Sequence, residues 1–143
     1  MPQCSKSLII PFSQKALFEL VNDVSSYPSF MPYCQAAEVI EQTPDTLTAS
    51  LTLKKGSFSQ SFTTKNTLYP HEKMVLTLVD GPFKKLEGIW TFEAKGDNIT
   101  KVSLDLEYTF SSTLLAGMFG RVFHKVANNL VDSFHTRAKE VLS

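Results

Sequence analysis

Residues 112–142 read STLLAGMFGRVFHKVANNLVDSFHTRAKEVL, and their spacing decides the fold. Leu114, Met118, Val122, Val126, Leu130, Phe134, Ala138 and Leu142 recur every fourth position, with Leu115, Phe119, Phe123, Ala127 and Val131 beside them. Apolar residues at that interval share one side of an α-helix, so the pattern predicts a single helix starting near Ser112 or Thr113. At 1.5 Å per residue, about 30 residues make a rod of about 45 Å, longer than most globular helices. So wide an apolar stripe requires an equally large apolar surface to lie on. Met118, Val122, Val126, Leu130 and Phe134 are expected to face it.

Immediately upstream the period changes to two. Val102, Leu104, Leu106, Tyr108 and Phe110 alternate with Ser103, Asp105, Glu107 and Thr109, the pattern of a strand with one wet face. Leu47, Ala49, Leu51 and Leu53 repeat it, as do Leu86, Trp90 and Phe92, with Gly88 at a position that tolerates a bend or a close approach. Strands are expected at 37–43, 46–54, 57–69, 73–79, 85–94 and 100–110, separated by Pro44-Asp45, Lys55-Gly56, Pro70-His71, Asp80-Gly81-Pro82 and Gly96-Asp97-Asn98. A first strand runs from Cys4 to Ile10 and stops at Pro11. Ser13 can then cap a helix bearing Ala16, Leu17, Leu20, Val21 and Val24, and a second short turn covers Tyr27 to Phe30. The whole is an α+β chain, one domain over residues 1–143. A curved antiparallel sheet of about seven strands closes around the C-terminal helix, with two short helices after the first strand.

Size and charge narrow the function. A chain of 143 residues can bury roughly 68% of its extended surface, so it needs no disulfide staples, and Cys4 and Cys34 make no framework. The thiols, and the lack of a basic-then-apolar leader, point to a cytoplasmic protein. Fourteen basic residues balance fourteen acidic ones, which argues against sequence-specific DNA binding while leaving local basic patches open.

A straight helix and a strongly curved sheet are mismatched surfaces, so a hollow is expected between them, a filled core being the alternative. Its expected lining is Trp90, Phe92, Tyr108, Met118 and Val122. His71, His124 and His135 lie far apart and outside any metal-ligand spacing, and no nucleophile elbow or phosphate cradle occurs. The reading therefore assigns no catalytic residue, no metal and no required cofactor. Two loops stand out. Residues 27–34 put three aromatics and two prolines into a stiff corner, and Asp80-Gly81-Pro82-Phe83-Lys84-Lys85 projects an apolar residue followed by two cations. With the basic turn Lys54-Lys55, Phe83, Lys84 and Lys85 form a candidate partner surface for RNA phosphate or an anionic bilayer, the alternative being solvated hairpin lysines.

Several stretches, in this order, resemble the START-like superfamily, and within it the group of ribosome association toxins and coenzyme Q-binding proteins, relatives of polyketide cyclase/dehydrase-like domains. They are Val21-Asn22-Asp23-Val24, Tyr27-Pro28-x-Phe30-x-Pro32-x-Cys34, Phe62-Thr63-Thr64-Lys65-Asn66, the run from Leu78 to Phe92, Phe119-Gly120-Arg121-Val122-Phe123 and Arg137-Ala138-Lys139-Glu140. The resemblance implies a helix-grip fold with a hydrophobic tunnel under the last helix. It implies non-enzymatic binding of ubiquinone or a related isoprenoid quinone in support of respiration. Alternatively it implies a toxin that contacts the large (50S) ribosomal subunit and blocks 70S formation and translation initiation. A cyclase or aromatase role ranks third. A hydrophobic small molecule is the expected partner, with the large subunit and transient contact at the inner membrane as further possibilities.

Overall fold

In the computed structural model, which describes residues 3–142, β1 (Gln3–Ile10), β2 (Cys34–Thr43), β3 (Thr46–Lys55), β4 (Phe58–Tyr69), β5 (Lys73–Asp80), β6 (Phe83–Gly96) and β7 (Ile99–Phe110) form one antiparallel sheet. Its order is β1-β7-β6-β5-β4-β3-β2. Helix α1 (Gln14–Asn22) and a 3-10 helix (Val24–Ser29) follow β1, while α2 (Thr113–Met118) and α3 (Gly120–Leu142) follow β7.

Local chemistry sets the element ends. Ser13 accepts from the Ala16 amide at 3.2 Å and Ser112 from the Leu115 amide at 3.1 Å, each satisfying an amide that has no partner within its helix. In β7, Val102, Leu104, Leu106 and Tyr108 are buried while Asp105 faces water, so the alternation read from the sequence is the sheet's inner and outer face. Gly81 has φ +148, and a Cβ there would stand 2.6 Å from that of Phe62, so no other residue fits that turn without displacing β4. Edge strand β2 carries bulges between Cys34 and Ala36 and between Val39 and Glu41, which interrupt a ladder that would otherwise invite another strand.

The apolar face of the sheet holds α3. Rings gather in two places. At one end Phe119 is fully buried, with Phe58 at 6.3 Å, Phe83 at 5.9 Å, Phe110 at 5.8 Å and Phe123 at 5.7 Å between centroids. At the other, Trp90 meets Phe134 edge-on at 5.4 Å and Phe18 of α1 meets Phe92 at 5.4 Å. These two clusters give the unusual number of phenylalanines its structural place.

The expectation of one unbroken helix over 112–142 is corrected. The helix is divided at Phe119, between Gly117 and Gly120, residues that stiffen a helix least. A spacing of four advances about 40° per step around a helix of 3.6 residues per turn, so the stripe winds off the buried side over this length. Leu114 and Met118 consequently point outward, 71% and 50% exposed, while Phe119 takes the core position.

Candidate functional site

A cavity lies between the sheet and α3. The sheet supplies Ala49, Leu51 and Leu53 from β3, Phe62, Thr64 and Asn66 from β4, and Met74 and Leu76 from β5. Leu86 and Trp90 of β6 and Leu104 and Leu106 of β7 continue the wall. Phe123, Val126, Ala127 and Leu130 of α3 form the roof. Val24, Tyr27 and Met31 close one side. Leu51, Leu76 and Leu130 are the wall residues left half-buried, and they mark where the space approaches solvent. The free volume is about 80 Å³, against about 300–1,000 Å³ for common ligand pockets, so a bulky guest must displace the wall.

The stiff corner read from Tyr27 to Tyr33 is part of this wall. The Tyr27 hydroxyl donates to the Val21 carbonyl, and its ring packs edge-on against Phe134 at 5.4 Å, pinning the 3-10 helix to α3. Burial, with a smaller contribution from Asp23, raises the Tyr27 pKa, so the hydroxyl stays a neutral donor.

Two polar side chains sit among these apolar ones. Thr64 donates to Asn66 Oδ1 at 3.0 Å, and Asn66 Nδ2 lies 3.9 Å from the Met74 sulfur. Both are buried, Asn66 at 6% exposed. Sequence reasoning missed them because threonine and asparagine read as a wet face. The available signal was parity: Phe62, Thr64, Asn66 and Leu68 alternate along one strand, and its ends face inward.

Of the five side chains expected to line the hollow, Trp90 does so. The other four are placed elsewhere. Phe92 lies one inward position beyond Trp90 and is covered by α1. Tyr108 is buried at the Phe119 end, 4.7 Å from the Phe123 ring, and hydrogen-bonds His124 Nδ1. Val122 is buried outside the cavity wall, because α3 turns Phe123, Val126, Ala127 and Leu130 inward instead. Met118 is turned to solvent on α2.

The candidate partner surface is also redrawn. Phe83 is buried at 6% exposed inside the ring cluster and presents nothing to a partner. Lys85 Nζ is held by Glu107 at 2.9 Å, and that hydrogen bond raises its pKa. Lys54, Lys55 and Lys84 remain exposed at the Phe119 end, as do Arg121 and Lys125. Lys55 and Lys125 converge on the Tyr33 ring, at 5.9 and 5.8 Å from its centroid. The fold thus brings more cations to one end than the sequence spacing suggested.

Both cysteines are buried and unpaired. Burial pushes the Cys34 thiol up to about 11 and raises that of Cys4, whose Sγ lies 3.4 Å from the Ala127 carbonyl. Both are protonated at neutral pH, and so poor nucleophiles. Among the described residues no group of three potential metal ligands occurs, and no helix is long and apolar enough to cross a membrane.

Comparison with known proteins places this geometry. Residues 10–135 match the family described as polyketide cyclase / dehydrase and lipid transport. The ribosome association toxin RatA of Escherichia coli K12 is 41% identical over 143 residues, covering 100% of this chain and 90% of that one. The mitochondrial coenzyme Q-binding protein coq10 of Schizosaccharomyces pombe is 28% identical over 138 residues, covering 93% of this chain and 84% of that one. Among solved structures, the Zhui aromatase/cyclase of Streptomyces sp. R1128 superposes with a TM-score of 0.86 at 12% identity, covering 99% of this chain and 96% of that one. A START superfamily protein of Mycobacterium smegmatis gives 0.78 at 19% identity, covering 97% and 98%. At such identities the structural matches speak to the fold alone.

Proposed function

The chain belongs to the polyketide cyclase / dehydrase and lipid transport family, and we propose that it binds a hydrophobic ligand in the hollow beneath α3, an isoprenoid lipid of the ubiquinone type. The observation that carries this reading is the cavity itself, an apolar wall with Trp90 on one side and two uncharged polar groups inside. Each buried methylene of a guest contributes about 0.8 kcal/mol, so even one isoprene unit gains several kcal/mol, enough to offset modest movement of half-buried Leu51, Leu76 and Leu130. Thr64 and Asn66 do not titrate near neutral pH, and both thiols are held protonated, which favours holding a guest over transforming it. The relative named for coenzyme Q binding aligns along most of the chain. The protein would act in the cytoplasm and meet its lipid at the inner membrane surface. Purification from quinone-producing cells, organic extraction and analysis of the extract tests this. A co-purified isoprenoid lipid is expected, whereas none, together with no uptake of added ubiquinone, would reject it.

A second reading, ribosome association, is favoured by the cationic end. Lys54, Lys55 and Lys84 are exposed there, and the relative named as a ribosome association toxin aligns along the whole chain. Docking through phosphates makes affinity fall with salt. Co-sedimentation with isolated large subunits at two salt concentrations should then show a slope that decreases by about three phosphate contacts in the Lys54→Ala, Lys55→Ala, Lys84→Ala variant. No co-sedimentation at low salt would reject it.

A further inference from the structure

Asn66 stands at an inward position of β4 between Phe62 and Leu68, where packing alone favours an aliphatic side chain. Thr64 fixes its orientation, because the hydroxyl donates to Oδ1 at 3.0 Å, and the reversed amide would turn its oxygen toward a sulfur that has no hydrogen to give. That leaves the two N–H bonds of Nδ2 with the Met74 thioether at 3.9 Å as their acceptor, a weak one. Asn66 is only 6% exposed, so water does not readily compensate. The rest of the wall carries no charged side chain, and its other polar side-chain groups are the Thr64 hydroxyl, the Tyr27 hydroxyl, which donates to Val21, and the Trp90 indole N–H.

We propose that Asn66 selects the ligand: the hollow takes an apolar molecule that presents a hydrogen-bond acceptor, a ketone, quinone or ether oxygen, to Asn66 Nδ2. This rests on the ligand-binding reading above and narrows it. A carboxylate or phosphate headgroup is disfavoured, since no cation lines the wall. A donor-only group leaves the two Nδ2 hydrogens with no acceptor better than the Met74 thioether. The guest therefore enters with its oxygenated end inward, and its tail leaves past half-buried Leu51, Leu76 and Leu130.

Duroquinone and durene test this, being the same methylated ring with and without carbonyl oxygens. Trp90 is the chain's only tryptophan and lies on the wall, so its fluorescence reports occupancy. Asn66→Leu should weaken duroquinone by about five- to tenfold while leaving durene unchanged or tighter. Independently of any variant, the carbonyl stretch of duroquinone bound to the native protein should lie below its position in hexane. An unshifted carbonyl band, or equal effects of Asn66→Leu on both probes, would overturn the assignment while the cavity reading stood. Failure of both probes to bind the native protein would remove the cavity reading and this assignment together.

Discussion

The Phe119 end and the hollow are neighbouring stretches of the same sheet–helix interface, yet one is solid and the other is not. At the Phe119 end, rings from β4, β6, β7 and α3 meet at centroid separations of 4.7 to 6.5 Å and leave Phe119 fully buried. Farther along the interface most of the facing side chains are aliphatic or small, such as Ala49 of β3, Leu104 of β7 and Ala127 of α3, and space remains. The contrast teaches that rings fix the height of α3 over the sheet at both ends, and shorter side chains between them fall short of it. The hollow follows from the difference in side-chain reach.

Truncation at the solid end should have the largest effect. Phe119→Ala should lower unfolding free energy by about 3–5 kcal/mol in urea titration, because a fully buried ring leaves a void its packed neighbours cannot close. A loss under about 1 kcal/mol would show that this end is not rigid. Enlargement separates the regions more sharply. Ala138, fully buried and outside the cavity, should lose about 1–3 kcal/mol on change to Leu, whereas Ala49→Leu should fill existing space and change stability by less than about 0.5 kcal/mol. Equal penalties would erase the distinction.

The polar links should give smaller effects. Tyr108→Phe removes the hydroxyl joining β7 to His124 and should cost about 1 kcal/mol by the same titration. Burial first, and Cys4 second, raise the Tyr108 pKa from 10 to about 12. A raised folded-state pKa means its stabilising contribution is complete below pH 10 and is lost as pH climbs toward 12. The native chain should therefore show a steeper fall in stability across that window than Tyr108→Phe, as measured by alkaline unfolding. The smallest effect is expected on the surface: changing Lys54 and Lys84 to Ala should alter the melting free energy by under about 0.5 kcal/mol.

The regular parts of this architecture were legible because one face of most elements is largely apolar. The alternation in β7 and the turn residues between strands led directly to the sheet. The division at Phe119 was not legible, since a four-residue stripe looks continuous on paper while it winds around a real helix. The hollow as such could be anticipated from the mismatch of sheet and helix, and Trp90 with it. Phe92 and Tyr108 share strands and parity with wall residues, and only the positions of α1 and His124 remove them from the wall. Asn66 was hidden for the opposite reason: a polar residue on an inward face violates the pattern from which inward faces are recognised.

The central claim is that the hollow is a binding site, and titration of ubiquinone against Trp90 fluorescence, in the native chain and in Ala49→Leu, tests it most directly. The native protein should show a saturable 1:1 change, and the equally stable filled variant should show none. No saturable change in the native protein, or the same titration in both, would contradict the account.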